Sequence, residues 1–442
     1  MSNPVAVQQK RFIKLTPSNN SSSFGPTGAQ PIIRFSIADT QALALLKDAR
    51  LNFTFTADRT GSSGLPAIGD DFNIDQCLSL CSVMDQIIIS SRRFGNTLEQ
   101  VVNLGRLESS YYRSKFSPKM EASNMYNLNK AVGMGRYNRY SGTFARGGSL
   151  VTQTLNDVRN IAQRKSSLTQ AVDCSIPFHA GTFLTDKPLD LNATGGLELA
   201  IYLSKAEQLF YGATGGTNPP TSASTYTLTN VSLTVPLLYK SADMINATPT
   251  EQVIEFLNWT SLYSVMDSTT SSISQRLYLN GLVSAIHNML PTAQINSVAS
   301  NQYALKNPVV QRLTFLRDGQ RNPLEKTAIV QSNSNDTAEN SSSTYPEVIN
   351  DYMSAWGATK DQIYSQVMPE NLKGVSNRSG VFGLGCNYSP DSAGINMNGV
   401  LGIDVQSRVR NVANNGTEPY ALYSFYLARQ AFLSTPMGMK AM

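Results

Sequence analysis

Two histidines, four cysteines and a few acidic and glycine clusters are the residues of this 442-residue chain whose types could carry chemistry. His179 follows Pro177-Phe178 in a segment patterned as a strand, and His287 sits in Ala285-Ile286-His287-Asn288. An imidazole acts as base or ligand only beside a nucleophile or a second ligand, and neither histidine has one close in sequence. Both are read as structural histidines. Cys77 and Cys81 are four apart, but a zinc site needs two more ligands at similar spacing, and Cys174 and Cys386 stand alone. All four are read as reduced, partly buried thiols.

The acidic pair Asp70-Asp71 could be imagined flanking a glycosidic bond. Adjacent strand residues point to opposite faces, however, which rules out that geometry. Gly133-Met134-Gly135 and Gly212 to Gly216 are glycine-rich, yet neither joins a strand to a helix as a phosphate cradle must. The Gly-x-Ser-x-Gly, His-Glu-x-x-His and P-loop signatures do not occur in the sequence. The expectation is therefore no catalytic, cofactor-binding or metal-binding residue, no cofactor and no enzyme.

Composition narrows the class further. At this length two domains are the default, and the size suits two β-barrels of about 200 residues each. Charged residues make up 15% of the chain, against roughly 25% in an ordinary soluble domain. Asn, Ser, Thr and Gln carry the polar load instead, which suits strands joined by long uncharged loops and surfaces covered by neighbouring copies. The net charge of +5 is mild, and basic pairs such as Lys10-Arg11, Arg92-Arg93 and Arg164-Lys165 are short, so sequence-specific nucleic-acid binding is not expected. Neither a secretory signal nor a stretch of roughly 18 to 20 apolar residues is visible, which implies synthesis in a cytosol.

The elements that would position these residues are mainly strands. Ile33, Phe35 and Ile37, then Leu51, Phe53 and Phe55, alternate with polar residues, as half-buried strands do. Val83 to Ser90 is a further strand, ending at the turn-forming Phe94-Gly95-Asn96. Leu98, Val101, Val102 and Leu107 recur near three and four residues and predict a short helix, and Leu150 to Ala162 predicts another. Ser175 to Phe178 is a strand. Leu197 to Leu203 and Val231 to Leu237 show the clearest alternation, with Pro236 expected at a sheet edge or strand end.

Thr248-Pro249-Thr250-Glu251 has the form of a capping box, with Val253, Ile254 and Leu257 as an apolar face, and predicts a linker helix over residues 244–258. Residues 1–30 read as a flexible N-terminal arm that orders only against a partner. The division is then arm 1–30, first barrel 31–243, linker helix 244–258 and second barrel 259–442. In the second half, 262–265, 277–279, 312–317, 401–409 and 420–427 are strand candidates. Asp318-Gly319 marks a hairpin, Gln331 to Thr344 an exposed loop, and Pro346 opens a helix bearing Tyr352 and Trp356. The fold class is all-β with a few short helices in excursions. Long detours between strands favour jelly rolls over up-and-down barrels.

Two segments carry a family resemblance. Met84-Asp85-Gln86-Ile87-Ile88-Ile89 followed by Gly95-Asn96-Thr97-Leu98-Glu99-Gln100-Val101 resembles the strand, turn and Leu/Ile-Glu helix start in the first barrel of double jelly-roll major capsid proteins. The likeness is to those of polinton-like viruses and virophages, in the adenovirus hexon-type lineage. Ser175 to Phe178, Thr314 to Gly319 with Pro323, and Gly394 to Gly399 extend it over about residues 32–430. The resemblance implies two tandem eight-stranded jelly rolls and a homotrimer of pseudo-hexameric outline that tiles the facets of an icosahedral double-stranded DNA virus shell. Implied partners are further copies, penton and minor capsid proteins, with the arm touching genome or minor proteins; the implied location is the virion capsid. The competing readings are a two-sandwich carbohydrate-binding or adhesive surface protein and a β-rich hydrolase.

Overall fold

Period-two patterning is what the chain expresses most directly in three dimensions. In β13 (Leu197–Leu203) buried and solvent-facing positions alternate along the strand, and its register places Ile201 opposite both Ile33 and Ile87 in the flanking strands. A one-residue slip would turn all four apolar side chains outward, so the burial itself fixes the pairing. Gly195 and Gly196, at φ 62° and 96°, introduce it. A Cβ on Gly195 would meet Arg93 Cβ at 2.2 Å, so the tight left-handed turn admits only glycine.

The computed structural model describes residues 7–27, 30–58, 73–75, 78–115, 143–146, 149–152, 171–211, 225–246, 251–266, 272–295, 297, 301–303, 305, 310–317, 320–321, 326–327, 351–352, 354–356, 383–388, 400–407 and 419–441. Three sheets dominate. The first has the order β11 (Val172–Pro177), β5 (Arg50–Asp58), β15 (Thr225–Lys240), β4 (Ala42–Ala44), β12 (Leu189–Asp190), with β1 (Val7–Leu15) and β2 (Ser23–Phe24) also laid on β15. The second runs β22 (Leu384–Asn387), β18 (Leu282–Pro291), β24 (Tyr420–Thr435), β16 (Gln252–Val265), β8 (Thr97–Val102), β7 (Met84–Ser91), β13, β3 (Ile32–Ile37), with β25 (Gly438–Ala441) on β24. The third is β17 (Ser272–Tyr278), β23 (Val400–Ser407), β19 (Val310–Arg317), β20 (Gln320–Arg321), with β21 (Lys326–Thr327) on β19. Two small pairs, β6 (Asn73–Ile74) with β14 (Phe210–Tyr211) and β9 (Thr143–Arg146) with β10 (Ser149–Thr152), stand apart.

The second sheet belongs to both halves of the chain. Its β3 to β8 portion shares one apolar core with the first sheet, through Ile33, Ile87 and Leu199 against Leu51, Phe53 and Leu228. Its β16 to β22 portion shares a second core with the third sheet, through Met289, Leu422 and Tyr426 against Ile273, Phe315 and Ile403. The opposite face of that same portion, with Ile286, Leu290 and Phe425, closes onto the first core. All ten residues of β18 are buried as a result. An antiparallel strand covered on both faces marks the middle of a molecule, where two sandwiches lie back to back.

Several sequence expectations need correction. The predicted linker helix over 244–258 is replaced by β16, whose whole length from Gln252 to Val265 pairs antiparallel with β24. Ile254 and Phe256 point inward while Val253 and Glu255 face solvent, a period of two that the apolar residues at 253, 254 and 257 disguised. Thr248, Pro249 and Thr250 lie outside the described residues. A short helix does occur just earlier, α3 (Ala242–Asn246). Leu98, Val101 and Val102 form β8, and the helix predicted there starts only at Leu104, as α1 (Leu104–Lys115). Leu150 belongs to strand β10, and the rest of the helix predicted with it is outside the described residues.

The arm is corrected too. Val7–Leu15 is a strand on the chain's own β15, from Val7 opposite Lys240 to Leu15 opposite Leu233. Among its described side chains only Ile13 and Leu15 pack against the core and Phe12 is 67% exposed, so backbone pairing rather than apolar periodicity holds this strand. Pro236 sits inside β15, but where one neighbour, β5, has ended and the next, β4, begins. Its carbonyl accepts from Leu45 N at 3.0 Å, so the missing N–H faces that junction and breaks no ladder. The predicted hairpin at Asp318-Gly319 is matched by Arg317 opposite Gln320, the two turn residues themselves being outside the described set.

Candidate functional site

Among the described residues, buried polar side chains gather at the seam where the two halves meet. There β8 of the first half runs parallel to β16 of the second, with Gln100 opposite Thr260. Glu99 is an acidic residue within an otherwise largely apolar strand and is 1% exposed. Its Oε1 accepts from Gly181 N at 2.7 Å and Trp259 N at 2.8 Å, and its Oε2 from Thr182 N at 2.8 Å and Thr182 Oγ1 at 2.5 Å. Burial raises the carboxyl's pKa, and the four donors pull it back down. Gly181 and Thr182 open the short helix α2 (Gly181–Leu184). A Cβ on Gly181 would lie 2.8 Å from the Asn258 backbone nitrogen, so glycine is what lets this turn approach β16.

Further bonds cross the seam along its length. Asn258 Nδ2 donates across it to Leu98 O at 2.6 Å and, within the second half, to Gln430 Oε1 at 3.2 Å, while Ser261 Oγ accepts from Val102 N at 3.1 Å. Leu257 N donates to Thr185 Oγ1 at 3.0 Å. At one end, Arg93 Nη2 reaches Pro436 O at 3.3 Å and Asn96 Nδ2 reaches Met439 O at 3.1 Å. The buried first turns of α1 fill the inner side, with Ser110 Oγ donating to Asn288 Oδ1 at 2.7 Å and Ser109 Oγ to Tyr303 O at 2.7 Å. A single parallel contact between strands is weak on its own. This one is reinforced by buried side-chain bonds whose loss would strand donors away from water.

Both histidines have structural partners. His179 Nδ1 lies 3.3 Å from Glu108 Oε1, and the Tyr111 ring packs 4.3 Å from the imidazole. Burial raises the Glu108 carboxyl and His179 lowers it. His287 Nδ1 lies 2.8 Å from Ser424 Oγ, a spacing that would suit a base and its nucleophile. The proton count argues otherwise. Ser424 donates to Gln275 Oε1, so the imidazole must donate to Ser424 and presents no base to it. Gln275 Nε2 in turn donates to Ser264 Oγ at 2.7 Å, completing a polar chain across the second core. Both His287 and Ser424 are fully buried, and burial pushes the histidine down to about 3.

The other sequence candidates stay apart. Cys81, Cys174 and Cys386 are buried cysteines, and burial pushes the Cys174 thiol well up. No group of metal-ligating residues is found among the described residues. Cys77, Asp70-Asp71, Gly133 to Gly135 and the loops Gly212 to Ser224 and Gln331 to Thr344 lie outside them. Trp259 belongs to β16 rather than a helix, and Trp356, in a helical turn with Tyr352, packs 5.9 Å from it at the seam.

No family model matches this sequence, and neither does any curated protein. Solved structures do match in shape. The PBCV-1 virus capsid model aligns with a TM-score of 0.55 over 100% of this chain and 98% of that one, at 10% identity. The Sputnik virophage structure gives 0.52 over 100% and 90%, also at 10% identity. The Faustovirus major capsid protein gives 0.53 over 98% and 92%, at 9% identity. The fold is the double jelly roll of major capsid proteins. Within that double jelly roll, the seam at Glu99 is the join between the rolls. The Leu98-Glu99 pair therefore opens no helix, as the resemblance implied, but sits in the strand that meets the second roll.

Proposed function

We propose that this protein is the major capsid protein of an icosahedral double-stranded DNA virus, acting as building material rather than as a catalyst. Three copies assemble as a pseudo-hexameric capsomer, and such capsomers tile the facets of the shell, with separate penton and minor proteins completing it in the virion. One observation carries the reading: a sheet continuous across β8 and β16 joins two jelly rolls into a single block, over nearly the full length of the capsid structures it aligns with. A block with two similar barrels gives a trimer six similar corners. The domain division that fits this reading places the first roll before α3 and the second from β16 onward, with the N-terminal strand counted in the first roll.

The carbohydrate-binding alternative draws no support from the tryptophans, since Trp259 and Trp356 are both buried at the seam rather than offered as platforms. Light scattering on the purified chain tests the proposal. A chain of 48.1 kDa makes a trimer of 3 × 48.1, about 144 kDa, or larger shells. A stable 48.1 kDa monomer at working concentration would overturn it.

A further inference from the structure

A cavity of about 330 Å³ opens at one end of the seam, lined by Asp85 of β7, Arg106 of α1, Tyr263 of β16, Tyr423 of β24 and Tyr303 and Ile295 beyond β18. Both halves of the chain therefore build it. Its size is at the lower end of what small-molecule sites occupy. Arg106 is 5% exposed, and its guanidinium lies 4.1 Å from the centre of the Tyr423 ring. Its Nη1 has no hydrogen-bond partner, and no ion pair to it is found among the described residues.

A buried guanidinium with an aromatic face on one side and an unfilled donor is an incomplete arrangement. Asp85 acts on Arg106 through space but makes no ion pair with it among the described residues, so the Nη1 donor stays unfilled, and a planar carboxylate is the group whose geometry matches the guanidinium fork. The rest of the wall sets the body of such a ligand. Tyr263, Tyr303 and Ile295 offer ring faces and an aliphatic side chain, which suit an apolar group. Asp85 in the same wall adds one negative charge, which disfavours a doubly charged phosphate. Tyr263 is 49% exposed, so the mouth is reached from solvent past its ring.

We propose that this cavity is a binding site for a small organic monocarboxylate, held by Arg106 and stacked among the tyrosines, whose occupancy ties the two rolls together. Because the described walls of the cavity all come from one chain, the proposal does not rest on the capsid reading. Binding to the folded state alone stabilises it by mass action, so a bound ligand shows as a raised unfolding temperature. Sodium benzoate is the probe, compared with equal ionic strengths of sodium chloride and sodium phosphate on the full chain. The expected result is a benzoate-specific rise of about 2–4 °C, larger than that with phosphate.

Two substitutions at the half-exposed mouth separate binding from folding. Both Tyr263→Asp and Tyr263→Lys remove the same ring, but the first places a negative charge on the path and the second a positive one, so benzoate is expected to bind the Asp variant about tenfold more weakly than the Lys variant. Arg106→Met, where it folds, abolishes the rise. Absence of a benzoate-specific rise in the natural chain would overturn the proposal. So would a larger rise with phosphate, or an equal response of the Asp and Lys variants.

Discussion

Glu99 at the seam and His287 inside the second roll are both buried polar groups, but they are satisfied to different degrees. Every donor around Glu99 comes from a segment other than its own strand, and both of its oxygens are filled. His287 has one ring nitrogen on Ser424 while its Nε2 has no partner among the described residues. The first arrangement fixes where one roll stands against the other. The second joins two neighbouring strands of one sheet and reaches the other sheet only through Ser424 and Gln275, and it does so with a neutral imidazole. A shared, fully paired node makes a rigid join, whereas an under-paired one leaves a place where acid can act.

The largest effect should come from removing the node. Glu99→Ala leaves three backbone N–H groups and the Thr182 hydroxyl without their acceptor, and is expected to cost roughly 3–5 kcal/mol in denaturant unfolding. A loss no greater than at a surface site would show that the seam is not held there.

Next is the acid response of the second roll. His287 has its folded pKa lowered to about 3, from an ordinary value of 6.5, by burial. The unfolded chain therefore binds the proton first as pH falls. Stability from this group is full above pH 6.5 and is lost as pH drops toward 3, by about 2 kcal/mol at pH 5. Glu99 and Glu108 have raised pKa values and act in the opposite sense, stability falling as pH rises through the ordinary carboxylate range. The difference between the natural chain and His287→Leu isolates the histidine: the variant should lose less stability between pH 7 and 5. Parallel pH curves for the two would contradict this.

Smaller effects grade the seam itself. Asn258→Ala removes the bonds to Leu98 O and Gln430 and should cost about 1–2 kcal/mol. Lys187 and Glu255, 3.3 Å apart with side chains 75% and 46% exposed, also join the two halves. Lys187→Ala should change stability by less than about 0.5 kcal/mol, because solvent screens such a pair. If the exposed pair proved worth more than Asn258, buried bonding would not be what makes the join.

The strands of the first roll were legible because burial on one face writes a period of two, as in β3 and β13. β16 was not. Val253, Ile254 and Leu257 after a capping-box tetrapeptide fit a helix, and only pairing with β24, more than 160 residues away, decides for a strand. β1 was missed because an edge strand that buries little carries no apolar alternation. The seam was missed for a related reason. Glu99 gave one signal, a carboxylate within a largely apolar strand, but its donors at Gly181, Thr182 and Trp259 are distant in sequence and mostly backbone. The partners of the two histidines, Glu108 and Ser424, lie far away in sequence and left no signal near them.

Single-particle cryo-electron microscopy of the purified chain bears on the central claim, that one sheet through Glu99 makes two jelly rolls a single block that builds a trimer. The account predicts three copies about a threefold axis, six barrels in a hexagonal outline, and one fixed angle between the rolls of every copy. Single copies whose two rolls take a range of angles would contradict it.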